Sequence, residues 1–305
     1  MAGGMRTTMP LAKSAGTSGG MRRGDGRWAG LFLAPYLLFF VVFTLTPVLY
    51  GFWISLHDWH VLSRTVPFVG LTNYRVALGD DLFRIAVART ALFALMVVPA
   101  GNIASLGLAM MLNGITRGGT LFKVAYYVPV VTSITATAII WRLLYAADGL
   151  LNHALNADLP WLASPDWALP SIVLMSVWWG AGGNMLVYLA ALKAVPKEQL
   201  EAASLDGAAP AKRFRHVTIP NIRGVIVFCL VMSVIGASQI FAQTLILTNG
   251  GPADSTLTVM LYMYRQGIGM YQLGYGSAIA YILFAGVFLL GLTQIRSMSK
   301  SMQSD

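Results

Sequence analysis

Charge is what this 305-residue chain has least of: Asp, Glu, Lys and Arg make up 11% of it, against 56% hydrophobic residues. Soluble domains carry about 25% charged residues. So few charges cannot cover a water-facing surface of this size, and the composition points to lipid as the solvent. Cysteine is nearly absent as well. The single Cys229 can form no intrachain disulfide, and no Cys/His cluster offers a metal site. The chain contains no Gly-Lys dipeptide, which excludes a Walker A phosphate loop. Missing too are chains of intramembrane carboxylates or histidines, which a proton-coupled carrier would need, and an internal repeat of duplicated transporter halves.

What charge there is has one sign in excess, +9 net. Basic patches interleaved with stacking aromatics are absent, so nucleic acid is excluded as a partner. Lys and Arg instead belong to the cytoplasmic loops of a membrane protein.

Apolar runs long enough to cross about 30 Å of hydrocarbon are Trp28–Ser55, Ile85–Leu112, Phe122–Tyr145, Leu169–Leu192, Gly224–Leu247 and Gly276–Ile295. In lipid each must be helical, since an open strand would leave backbone groups unpaired. Pro35, Pro47, Pro99 and Pro129 predict local kinks. The fold class is therefore an all-α membrane protein with six transmembrane helices. Residues 1–27, rich in Gly, Ser, Thr and Met, read as a flexible tail, 28–296 as the six-span domain and 297–305 as a second tail. The first apolar run is too long for a signal-peptide core and should remain as an anchor.

Loop charge sets the orientation. With the N-terminus inside, inner segments hold fifteen of the 21 basic residues, among them Arg22, Arg23, Arg117, Lys193, Lys197, Lys212, Arg213, Arg215 and Arg296. The outer loop between spans three and four holds Asp148, Asp158 and Asp166 with no Lys or Arg. Both termini are expected in the cytoplasm. Arg89 and Arg142, near the outer ends of spans two and three, read as snorkelling to the interface rather than lining a path.

The longest inner loop, 193–223, reads as a helix, a turn and a second helix. Pro196 suits a first helical position, Lys197 to Ala203 are good helix formers, and Gly207 can take the left-handed conformation that stops a helix. Pro210 starts the next turn and Pro220 is expected to end it before span five. Ala202, Ala203 and Gly207 leave a slim surface that another backbone could approach, flanked by Glu201 and Asp206. An ordinary amphipathic connector would look much the same.

Glu201-Ala202-Ala203, then Asp206-Gly207-Ala208, then Val217-x-Ile219-Pro220 resembles the EAA loop of ABC importer permeases in its carbohydrate-uptake form. Val217 and Ile219 stand where the family prefers Ile and Leu. Leu247-Thr-Asn-Gly-Gly-Pro252 and Phe68-Val-Gly-Leu71-x-Asn73-Tyr74 are similar to segments of maltose-type and glycerol-3-phosphate-type permeases. The resemblance implies a type I importer transmembrane fold and a non-catalytic subunit of a bacterial inner-membrane, binding-protein-dependent importer. It implies a sugar, oligosaccharide or glycerophosphate-type solute. The loop would dock on a cytoplasmic ABC ATPase dimer, which would bind the ATP and Mg²⁺. This chain would hold no cofactor and would pair with a second, related permease chain and an extracytoplasmic solute-binding protein. An ion-coupled secondary transporter is the alternative.

Candidate pathway residues are Trp179, Gly180 and Asn184 in span four, and Ser233, Gly236, Gln239 and Gln243 in span five. The last four recur at helical steps and would share a face of one helix. Ser, Asn and Gln could equally be interhelical hydrogen-bond partners. The resemblance raises Trp179, Gly180, Ser233 and Gly236, and departs from the maltose-type pattern at Ala237, Ile240 and Ala242. In the outer loop 248–275, the segment Thr256–Tyr275 is too short and interrupted for a seventh span. Its tyrosines read as an interfacial belt or as a partly inserted loop that meets the binding protein.

Overall fold

The structure is a computed structural model describing residues 25–115 and 117–303, with side chains described for 32–115 and 117–294. The tail readings for 1–24 and 304–305 lie outside the described residues; residues 25–27 and 297–303 are helical.

Contacts divide the chain after Tyr50. The first unit holds α1 (Asp25–Phe40), a π-helical turn at Val41–Leu45 and the start of α2 (Thr46–Ser55). Together Phe32–Ser55 makes a 24-residue apolar helix whose hydrophobic window is 0% buried. Pro47 has no amide to donate to the preceding turn, and the wide turn sits just before it, with Thr46 Oγ1 donating to the Val41 carbonyl at 2.9 Å.

The second unit holds α3 (Thr72–Gly79), α4 (Asp81–Asn113), α5 (Gly119–Val131), α6 (Ile134–Leu144), α7 (Leu150–Leu155) and α8 (Pro165–Ala194). It continues with α9 (Lys197–Leu205), α10 (Pro210–Arg213), α11 (Ile219–Ser238), α12 (Ala242–Leu247), α13 (Val259–Tyr264) and α14 (Leu273–Gln303). The two longest early helices start on side-chain caps. Asp80 accepts the amide of Leu82 at 2.9 Å to open α4, and Ser164 accepts that of Asp166 at 3.3 Å to open α8, with Pro165 in the first turn. Helix α8 is central, with half of its apolar window buried, and packs most extensively on α4. It also crosses α5 closely at Gly182, where a Cβ would lie 2.0 Å from the Tyr126 carbonyl oxygen.

The expected spans one, two, four and six are continuous, and the helices run beyond the expected ends to Asp25 in span one, Asp81 and Asn113 in span two, Pro165 and Ala194 in span four, and Leu273 and Gln303 in span six. The expected single helix Phe122–Tyr145 is not. It breaks at Thr132 and Ser133 into α5 and α6, which meet at 96°. Thr132 turns back on its own chain, its amide and Oγ1 both reaching the Pro129 carbonyl, at 3.2 and 2.6 Å.

The expected span Gly224–Leu247 is also interrupted. Helix α11 ends at Ser238, and Gln239–Phe241 turn the chain before α12. At its other end Pro220 does not terminate the inner loop's second helix. Helix α10 runs through a π-helical turn, Phe214–Thr218, straight into α11, forming one apolar run Pro210–Ser238. The wide turn precedes Pro220 as the other precedes Pro47, and it absorbs the hydrogen bond that a proline cannot make.

Segment 248–275 is no seventh span. Helix α13 is buried against α4 and α14, with Leu261 and Tyr262 inside the protein. Thr90 Oγ1 accepts the Val259 amide at 3.0 Å, and Tyr275 donates to Asp80 Oδ2 at 2.7 Å beside Tyr262, which donates to the same oxygen. Burial alone would raise the Asp80 pKa; the two tyrosine hydroxyls and the capped amides outweigh it and hold the carboxyl below its ordinary value. Tyr262 is pushed up to about 12, first by burial and then by that carboxylate.

Candidate functional site

Between α4, α8, α11 and α12 lies a cavity of about 260 Å³. Its walls include all seven candidate pathway residues: Trp179, Gly180 and Asn184 from α8, Ser233 and Gly236 from α11, Gln239 from the turn, and Gln243 from α12. Gln239 and Gln243 reach it because the helix breaks, not because they share a face with Ser233. From α4 the wall takes Phe93, Val97, Gly101 and Ser105, a row at steps of four.

The polar floor of the cavity is cross-braced. Asn102 donates to Ser233 Oγ at 3.1 Å and accepts from Tyr188 at 2.7 Å; Asn184 donates to Ser233 at 3.1 Å. Ser105 donates across to the Ala181 carbonyl at 2.8 Å. Ser233 therefore accepts two amides, while its own hydroxyl proton stays available. Gln239 and Gln243 have no hydrogen-bond partner for their amides among the described residues. Two further buried polar atoms on cavity-lining residues, Ser176 Oγ and Trp179 Nε1, are also unpartnered. Hydroxyls and amides left spare in a mostly apolar cavity can bind the OH groups of a polar, uncharged surface. Asn102 and Tyr188 are the centre of the brace; Asn102 lies in span two, outside a reading that sought polar residues only in spans four and five, and Tyr188, in span four, was passed over as an aromatic. Their signal was Asn102 itself, an amide in an apolar run.

The inner loop forms the second candidate site. Helix α9 begins after Pro196 and ends where Gly207, at φ +73°, takes the left-handed conformation. The Ala208 amide reaches the Ala203 carbonyl at 2.9 Å and the Gly207 amide reaches Ser204 at 3.1 Å, a Schellman stop. Its base is fixed: Leu200 packs with Val195 and Ile222, and Asn221 donates to Gln199 at 2.8 Å. Arg213 braces Ser204 from α10. Its tip faces outward, with Glu201, Ala202, Asp206 and Gly207 exposed, Ala203 and Ala208 half-buried, and Leu205 89% exposed. Pro220 lies inside α11, away from this tip, as part of the base.

Residues 82–298 match the family described as the binding-protein-dependent transport system inner membrane component. An arabinooligosaccharide transport system permease of Bacillus subtilis (strain 168) is 33% identical over 87% of this chain and 87% of its own length. An sn-glycerol-3-phosphate transport system permease of Yersinia pestis bv. Antiqua (strain Antiqua) is 32% identical over 87% of this chain and 91% of its own. A chain from a bacterial ABC transporter involved in import of the acidic polysaccharide alginate superposes with a TM-score of 0.79 over 91% of this chain and 96% of that one, at 19% identity, a likeness that establishes the fold. The chain belongs to the binding-protein-dependent transport system inner membrane component family. It is a multi-pass permease subunit with the type I ABC importer fold.

Proposed function

We propose, from that family membership, that this chain forms half of the channel of an ATP-driven importer in a bacterial inner membrane, moving a carbohydrate-type solute inward. The relatives named for sugars and for glycerol 3-phosphate support that solute class. The observation that carries the coupling is helix α9: stopped by the Schellman turn at Gly207, anchored to the bundle at its base, yet holding Leu205 almost wholly in water. An apolar side chain presented on a rigid, slim helix end is a docking surface for another protein. The partner is a cytoplasmic ABC ATPase dimer that holds ATP and Mg²⁺, while this chain carries no cofactor. Closure of that dimer would shift α9 and, through α8 and α11, the walls of the cavity.

A two-fold ATPase presents two docking clefts, so a second and related permease chain completes the channel. An extracytoplasmic binding protein delivers the solute to the outer face. Purification from native membranes should therefore recover this chain with an ATPase, a second permease and a binding protein. Uptake should stop when ATP hydrolysis is blocked and persist when ion gradients are collapsed. Uptake that follows the ion gradient and ignores the ATPase would make the chain a secondary transporter.

A further inference from the structure

Arg89 is the more inward of the two arginines of α4. It lies eight residues into α4, about 12 Å along the axis at about 1.5 Å per residue, and is only half-exposed. It continues, one turn outward, the row Phe93, Val97, Gly101 and Ser105 that lines the cavity. Among the described residues it has no ion-pair or hydrogen-bond partner.

Arg142 stands in the last turn of α6. It lines an outer cavity of about 510 Å³ with Trp161, Leu247 and Thr248, and its one hydrogen bond among the described residues reaches the Ile246 carbonyl at 3.5 Å. Helix α12 connects the two spaces, with Gln243 on the inner cavity and Leu247 on the outer one. Phe93, one turn below Arg89, and Trp141, beside Arg142, belong to one hydrophobic core. Neither lining contains an Asp or Glu; Asp148, Asp158 and Asp166 on the neighbouring outer loop are exposed and line neither space.

A partly buried cation such as Arg89, with no counter-charge among the described residues, favours an anion beside it, and the exposed Arg142 is open to the same anion. Resting on the importer reading above, we infer that Arg89 and Arg142 form an anion-selecting approach to the cavity, so the imported solute bears a carboxylate or phosphate. The spare hydroxyl and amides below would then hold its neutral, hydroxylated part. The phosphate headgroup of a lipid offers the same chemistry, so the test separates the two.

The complete transporter, with its partner permease, ATPase and binding protein, is reconstituted in phosphatidylcholine and in phosphatidylglycerol vesicles. ATPase stimulation is measured with trigalacturonate, glycerol 3-phosphate, maltotriose and arabinotriose. An acidic probe should stimulate and the uncharged ones should not. Arg89→Gln and Arg142→Gln should each raise the half-saturating concentration about tenfold. Arg89→Lys should recover most of that loss, and the effect should shrink as salt is added. Both lipids should give the same pattern. Stimulation by an uncharged probe alone, or by none of the four, overturns the inference while the importer reading stands. So does an arginine effect confined to phosphatidylglycerol vesicles, which would assign the two cations to lipid. Failure of the chain to assemble with any ATPase overturns both.

Discussion

Asn102 holds more of the cavity together than any other side chain. It ties α4 to Ser233 of α11 and to Tyr188 and Asn184 of α8, the last at 3.5 Å. Tyr188 is 1% exposed, so its hydroxyl has no water to fall back on. Interhelical hydrogen bonds in membrane proteins average about 0.6 kcal/mol, reaching about 1.7. Losing a node that serves several partners should therefore cost about 1–3 kcal/mol. Asn102→Ala is expected to lower the melting temperature of the purified complex and to weaken solute affinity, because Ser233 and Asn184 lose their alignment. Tyr188→Phe should lower stability by about 1 kcal/mol and change affinity less. Thermal melts and saturation curves on both variants check this. At the outer surface, Asp80 gives a pH-dependent prediction. Its folded pKa is depressed, so its contribution to stability is complete above the unfolded value, about 3.9, and is lost as pH falls through the folded one. The wild-type protein should lose melting temperature more steeply below about pH 4 than Asp80→Asn, which starts lower because Tyr262 and Tyr275 have lost their carboxylate.

Helix α9 depends on how it ends. At Gly207 the left-handed conformation costs an L-residue about 1–2 kcal/mol, and proline cannot adopt it at all. Gly207→Val should fray the last turn and reduce transport severalfold; Gly207→Pro should abolish it while the protein still inserts. Ala203→Glu would place charge against the half-buried stop and should uncouple ATP hydrolysis from uptake. Wild-type uptake at equal expression in these variants would remove the coupling role. Most of this element was legible in the sequence: Pro196, the run of helix formers and Gly207 each have a local backbone meaning. The two broken spans were not. Hydropathy reports that Phe122–Tyr145 and Gly224–Leu247 suit lipid and is blind to a turn made where Thr132 folds back on Pro129, or where Gln239 ends α11. Both breaks use residues compatible with helix. Pro220 misled in the opposite sense, because a widened turn lets a helix run through a proline.

At the scale of the molecule, α8 is the shared member. Its outer half belongs to one packed core with Trp141 and Ile240, its middle lines the cavity, and its inner half packs with Ile222 and, through Val195, with Leu200 of α9. A displacement of α9 therefore acts on the helix that carries Trp179 and Asn184. The seven residues named from the sequence line one cavity, yet the face argument made for four of them, Ser233, Gly236, Gln239 and Gln243, fails at the break after α11; the convergence is a property of three helices and a turn. The braced floor and the cavity lie along α8, and the exposed tip of α9 follows its inner end, which is the arrangement an importer driven from its inner side requires.

The most direct test places a reporter at the tip. Cys229, the sole cysteine, is fully buried, so Leu205→Cys gives a single accessible thiol. In the intact complex this thiol should crosslink to the ATPase at short range, with a yield that changes when ATP is hydrolysed. Reaction with a membrane-impermeant reagent added from outside, or equal reactivity with and without the ATPase, would contradict the account.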